Sequence, residues 1–90
     1  MSSSSGSGDP SAGAAAAAPV VVDARGLRCP IPVIRAARAA QELAPGNRIE
    51  VLSTDPAAAT DLPAWSRMRG HVVELLERDG DDVQVVIRLV

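Results

Sequence analysis

"VVVDARGLRCPIPVIRAARAAQELAPGNRIEVLST" occupies residues 20–54, and its periodicity changes twice. "VVVDA" (20–24) is short and β-branched, bounded by Pro19 and Gly26, and reads as a strand. From Val33 onward the spacing is helical. Val33, Ala36, Ala37, Ala40, Leu43 and Ala44 fall on one side, with Arg35, Arg38 and Glu42 on the other. Arg38 and Glu42 are four apart and can pair across a turn, an exposed contact contributing about 0.3–0.5 kcal/mol. "PGN" (45–47) ends the helix. "RIEVLST" (48–54) then alternates, Ile49 and Val51 pointing one way and Glu50 and Thr54 the other, with Leu52 as the exception. Strand, helix, strand makes a crossover unit. If its strands are neighbours they are parallel, and the connection is right-handed.

The rest of the chain extends this unit. "DPAAATD" (55–61) looks like a helix start, with Asp55 as N-cap and Pro56 at the first helical position. Pro63 interrupts the pattern soon after, so the second helix is expected to be kinked or split, its second part "AWSRMRG" ending at Gly70. "HVVELLERDGDDVQVVIRLV" (71–90) reads as a hairpin turning at Asp79-Gly80, although Asp81 and Asp82 blur the loop length. Val83, Val85, Ile87 and Leu89 share one face of its last strand, and Gln84 and Arg88 the other. The order is β-α-β-α-β-β. The expected fold is an α/β two-layer sandwich, a mixed four-stranded sheet with two helices on one face.

Composition sets bounds on what such a domain can do. Residues 1–18 are Ser, Gly and Ala with little else, too poor in apolar side chains to offset the entropy of ordering, and read as a disordered tail. Residues 19–90 form the single expected domain. With no Phe, no Tyr and one Trp, its core must be Val, Leu and Ile. The tail has no Lys or Arg before its alanines, unlike a signal peptide, and no apolar run is long enough to span a bilayer. One cysteine forms no intramolecular disulfide, so the expected compartment is the cytosol. Net charge is −2, without the basic footprint that nucleic-acid binding usually leaves. Locally, however, Arg25, Arg28, Arg35 and Arg38 cluster around the thiol. They form either a partner-docking patch or simply a solvated helix face.

Cys29 is the only thiol, placed in the loop between the first strand and the first helix. Pro30 pushes it away from helical angles, which suits an N-cap. Pro30 and Pro32 then fall at the first and third helical positions, where neither needs an N–H. The Ile31 N–H becomes the nearest donor for the sulfur, although Pro32 disfavours helical angles at Ile31 and regular helix would start at Pro32. A helix terminus contributes about 0.3–1 kcal/mol at an exposed site. One pKa unit is roughly 1.4 kcal/mol, so the expectation is a modestly activated thiol that depends on its partners, with Arg25 and Arg28 or a docked partner supplying the added field. The competing reading is a small buried hydrophobe. Among the remaining residues, His71 is expected to be a solvated strand residue, Asp61 a surface carboxylate or loop orienter, and Trp65 and Met68 core. One Cys and one His are too few soft ligands for a zinc site.

"GLRCPIP" (26–32), "DPAAATDLP" (55–63) and "GH" (70–71), in this order and spacing, resemble the TusA/SirA-like family of small sulfur-carrier proteins. The resemblance runs from about Val20 to Val90. It implies the same β-α-β-α-β-β sandwich and a persulfide carried on Cys29, with Gly26, Leu27, Pro30 and Pro32 as its scaffold. It implies no cofactor, a cysteine desulfurase or rhodanese-type donor, and a downstream acceptor protein. Acceptor pathways in the family include tRNA thiolation, molybdenum-cofactor biosynthesis and sulfur oxidation. Some relatives carry a second cysteine where this chain reads Trp65-Ser66, so no resolving thiol is expected here. Two other functions fit the same pattern. One is a non-enzymatic regulatory or RNA-binding module, by fold-level analogy with the C-terminal domain of translation initiation factor three. The other is a thiol redox sensor.

Overall fold

The computed structural model describes residues 18–90; the expected disordered tail, apart from Ala18, lies outside the described residues. Its six elements, in chain order, are β1 (Val20–Ala24), α1 (Ile31–Gln41), β2 (Arg48–Ser53), α2 (Ala58–Arg69), β3 (Val72–Asp79) and β4 (Asp82–Arg88). The β-α-β-α-β-β order and the mixed four-stranded sheet are those the sequence predicts. Spatial order is β1-β2-β4-β3. β1 and β2 are parallel, Val20 facing Ile49 and Ala24 facing Ser53. β4 inserts between β2 and β3 and runs antiparallel to both. The second crossover therefore joins strands that are not neighbours, and among the described residues β1–β2 is the only parallel pair.

Strand alternation builds the core. Val22, Ile49, Val51, Val83, Val85, Ile87 and Leu89 are buried on one face, against Ala36 of α1 and Ala58 and Leu62 of α2. The core is thus built without Phe or Tyr, two of its three buried helix residues being alanine. The opposite face carries Gln84 and Arg88, as their alternation predicts, together with Glu50 and the apolar Val21, Leu52 and Val86. Gln84 donates to Glu50 at 2.6 Å, and Glu74 accepts from both Arg48 (2.6 Å) and Arg88 (3.0 Å). The hairpin closes on the pair Asp79–Asp82, leaving Gly80-Asp81 as a two-residue loop. Gly80 is thus the first loop residue, at φ +60, the conformation that favours glycine there.

Several expectations need correction. α1 begins at Ile31 rather than Pro32 and ends at Gln41, before "PGN". Glu42 is its C-cap, and among the described residues it forms no ion pair with Arg38. α2 is one continuous helix with Pro63 inside it. Pro63 forfeits one intrahelical bond in the second turn, and the turn before it is secured by Thr60 and Asp61 N–H groups donating to the Ala57 carbonyl. Met68 is 83% exposed and is not core. The buried stripe of α2 runs Ala58, Leu62, Ser66 at intervals of four, and Met68 lies off it. His71 is half-buried: its ring packs on Trp65 with centroids 5.2 Å apart, and its Nδ1 accepts the Val90 N–H.

Gly70 ends α2 in the left-handed region at φ +77, where its N–H and that of His71 satisfy the Arg67 and Ser66 carbonyls. A Cβ there would meet Val90 Cγ2 at an ordinary 3.6 Å, so the penalty for a side chain is backbone strain rather than a clash. Gly70→Ala should cost about 1–2 kcal/mol, lowering Tm by roughly 4–8 °C per kcal/mol in a domain of this size. Thermal unfolding followed by circular dichroism checks this, and an unchanged Tm would contradict it.

Candidate functional site

Parallel neighbours end at the same edge of a sheet, so the segments leaving β1 and β2 must meet there. They do so through two hydrogen bonds. The Gly26 N–H donates to Thr54 Oγ1 at 2.8 Å, and the Cys29 N–H donates to Asp55 Oδ2 at 2.9 Å. Each segment is also braced internally. Leu27 N–H donates to the Ala24 carbonyl (3.2 Å) and Ile31 N–H to the Arg28 carbonyl (2.9 Å). On the other side Asp55 N–H donates to Ser53 Oγ (3.1 Å), and Asp55 Oδ1 accepts from Ala57 N–H (3.0 Å). A cleft of about 490 Å³ opens beside this seam, lined by Gly26, Leu27, Arg28, Thr54, Asp55 and Pro56. A second cavity, about 510 Å³, sits toward the hairpin between Leu52, Arg78 and Gln84, and Cys29 lines neither of the two.

Cys29 is half-buried, with its side chain against the core. The residue expected to cap α1 is displaced by one: Pro30 is the N-cap, and Cys29 stands outside the helix. The Ile31 N–H, expected to face the sulfur, is spent on Arg28 instead. Pro32 is buried in the first turn of α1, while Pro30 is exposed; Gly26 turns the chain at φ +81 and Leu27 is half-buried.

The charge environment is the reverse of the expected one. Burial, a hydrogen bond with Asp61, and the charges of Asp61 and Asp55 together push the Cys29 thiol up from its ordinary 9.0 to about 11. The start of α1 does not offset this: Cys29 lies outside the helix, and its own N–H and that of Ile31 are engaged by Asp55 and the Arg28 carbonyl. Nor do the arginines. Arg25 is tied to Asp23 through Nε (2.9 Å) and Nη2 (2.8 Å), and this pairing holds the Asp23 carboxyl down at about 2. The charge of Arg35 is felt at Asp23, and that of Arg28 at Asp55. All four arginines are exposed, and Ile31 and Ile34 are exposed among them on α1.

Asp55 and Asp61 are thus the site residues that sequence reading passed over. The expected cap of α2 is displaced by two residues: Ala57 is the N-cap and the helix begins at Ala58, while Asp55 stands before it, accepting the Ala57 N–H through Oδ1 and holding the cysteine loop through Oδ2. Asp61, in the first turn of α2, stands against the sulfur instead of facing solvent alone.

The fold, the lone thiol at the β1–α1 junction and the braced Cys-Pro-x-Pro loop invite comparison with proteins of known family. The model for sulfurtransferase TusA matches residues 20–89. The chain belongs to the TusA family. Among its relatives, YrkI of Bacillus subtilis is 48% identical over 63 residues, an alignment covering 68% of this chain and 81% of that protein. The sulfur carrier protein TusA of Pseudomonas aeruginosa is 40% identical over 58 residues, covering 64% of this chain and 71% of its own length. The crystal structure of a SirA-like protein from Desulfitobacterium hafniense superposes with a TM-score of 0.68 at 36% identity, covering 77% of this chain and 95% of that one. This TusA-family chain is therefore a sulfur carrier protein. No helix among its described residues is long and apolar enough to cross a membrane.

Proposed function

We propose that Cys29 accepts sulfur as a persulfide from a cysteine desulfurase or rhodanese-type donor and relays it to an acceptor protein in the cytosol. The observation that carries this reading is the seat of the chain's one thiol: half-buried, at the mouth of a doubly braced loop, in a TusA-family fold. Gly26, Leu27, Pro30 and Pro32 serve as its scaffold. The exposed Arg25, Arg28, Arg35 and Arg38 offer positive charge to an acidic partner surface around it.

Loading is a thiol exchange and needs no cofactor. The Cys29 sulfur attacks the terminal sulfur of the donor's persulfide. A new S–S bond forms at Cys29 as the donor's own S–S bond breaks, and the donor cysteine leaves as thiolate. Asp61, one of the carboxylates acting on the thiol, can accept the proton that Cys29 gives up; the departing thiolate takes up a proton, and exchanging one S–S bond for another leaves no net oxidation. Loading also relieves the electrostatics of the site. In the persulfide, negative charge rests on a terminal sulfur about 2 Å further out, away from the burial and carboxylates that disfavour a thiolate on Sγ. The empty carrier stays protonated, and the loaded one carries its charge outward to the acceptor.

Incubation with a cysteine desulfurase and cysteine, followed by intact-protein mass spectrometry, tests the reading. The protein should gain one sulfur atom that a reductant removes. Absence of that gain would sink it.

A further inference from the structure

Asp55 joins the cysteine loop to the core through a continuous set of hydrogen bonds. Ser53, whose side chain is buried at the end of β2, accepts the Asp55 N–H through Oγ. Asp55 Oδ1 accepts the Ala57 N–H at 3.0 Å, and Oδ2 accepts the Cys29 N–H at 2.9 Å. No other described bond fixes the backbone at Cys29 itself: Pro30 has no N–H, and the Ile31 N–H serves Arg28. The direction of the Cα–Cβ–Sγ vector follows the backbone at Cys29, and that backbone is held by one carboxylate oxygen. Asparagine cannot replace it in full, since two N–H groups need two acceptor oxygens and an amide has one.

We propose that Asp55 is the positioning residue for the Cys29 sulfur, anchoring the cysteine backbone to β2 and α2 so that Sγ faces an incoming persulfide. The role rests on the reading that Cys29 carries sulfur. Asp55 does not touch the reacting atoms; it fixes where they are. The groups facing it are Arg28, whose charge favours the carboxylate, and the Cys29 and Ala57 N–H groups. Cys29 itself faces Asp61 as well as Asp55.

The first test uses the unaltered protein. In an acid titration followed by amide NMR, the Cys29 N–H resonance should move with the Asp55 carboxyl, at a midpoint below the ordinary aspartate 3.8. A Cys29 amide that does not respond overturns the proposal. The second test compares the wild type with Asp55→Asn and Asp55→Ala in two assays. Loss of the charge should make Cys29 more acidic, so alkylation by iodoacetamide at neutral pH speeds up. Sulfur transfer from a desulfurase should instead slow by about tenfold or more, in the rate at saturating donor rather than in KM. Opposed changes of this kind separate positioning from general destabilisation. If Asp55→Asn loads sulfur at the wild-type rate or faster, the positioning role falls alone. If the wild type takes no sulfur, the carrier reading falls and this role falls with it.

Discussion

Alkylation of Cys29 by iodoacetamide should be slow at neutral pH and rise through a midpoint near 11, where an ordinary thiol would titrate near 9.0. The thiolate is the nucleophile, and two pKa units reduce its population at neutral pH about a hundredfold. Burial contributes most to the shift, followed by the hydrogen bond with Asp61 and then the charges of Asp61 and Asp55. Asp61→Asn should therefore move the midpoint down and speed alkylation at neutral pH. The same shift is a statement about stability. Because the folded-state value is raised, the native protein holds the proton more tightly than the unfolded chain does. The stabilisation is fully present below about 9 and is lost as pH rises towards 11. The wild type should thus lose more Tm across that window than Cys29→Ser. A midpoint near or below 9.0, or identical alkaline loss in the two proteins, would contradict this account of the site.

Leu62→Ala should be the most damaging single truncation on α2. Leu62 is the largest fully buried side chain of the helix. Its removal should cost about 2–5 kcal/mol, a large fraction of the roughly 5–10 kcal/mol that holds a small domain folded. The neighbouring Asp61 depends on the same helix, so the thiol should lose its elevated pKa in whatever fraction of molecules loses α2. Met68→Ala, on the same helix but exposed, should stay within about 0.5 kcal/mol of wild type. Urea unfolding measures both, and a Leu62→Ala midpoint close to that of Met68→Ala would show that the α2 packing is wrongly described.

Most of the fold was legible because its signals are local. β-branched alternation marks β1, β2 and β4, Asp79-Gly80 marks the hairpin, and Gly70 marks the end of α2. The insertion of β4 between β2 and β3 was not legible, since it depends on which strands meet and not on what any strand looks like. The site divides in the same way. Cys29 and its prolines form one contiguous motif that can be read directly. Asp55 reaches Cys29 across 26 positions, and its helix-start context suggested a sufficient role of its own. A signal was nevertheless present: β1 and β2 as parallel neighbours bring the loops at their ends together, which places Thr54 and Asp55 beside Gly26 and Cys29. The sign of the electrostatics was not legible, because nearness in sequence is not nearness in space. Arg25 turns to Asp23 and Arg28 acts on Asp55, leaving carboxylates rather than guanidinium groups at the sulfur.

Whether Cys29 itself carries the sulfur is decided by intact-protein mass spectrometry of wild type and Cys29→Ser after exposure to a cysteine desulfurase and cysteine, with the wild-type adduct mapped to a peptide. One reductant-labile sulfur is expected in the wild type, on the peptide containing Cys29, and none in Cys29→Ser. Equal sulfur gain by Cys29→Ser, or none in the wild type, would contradict it.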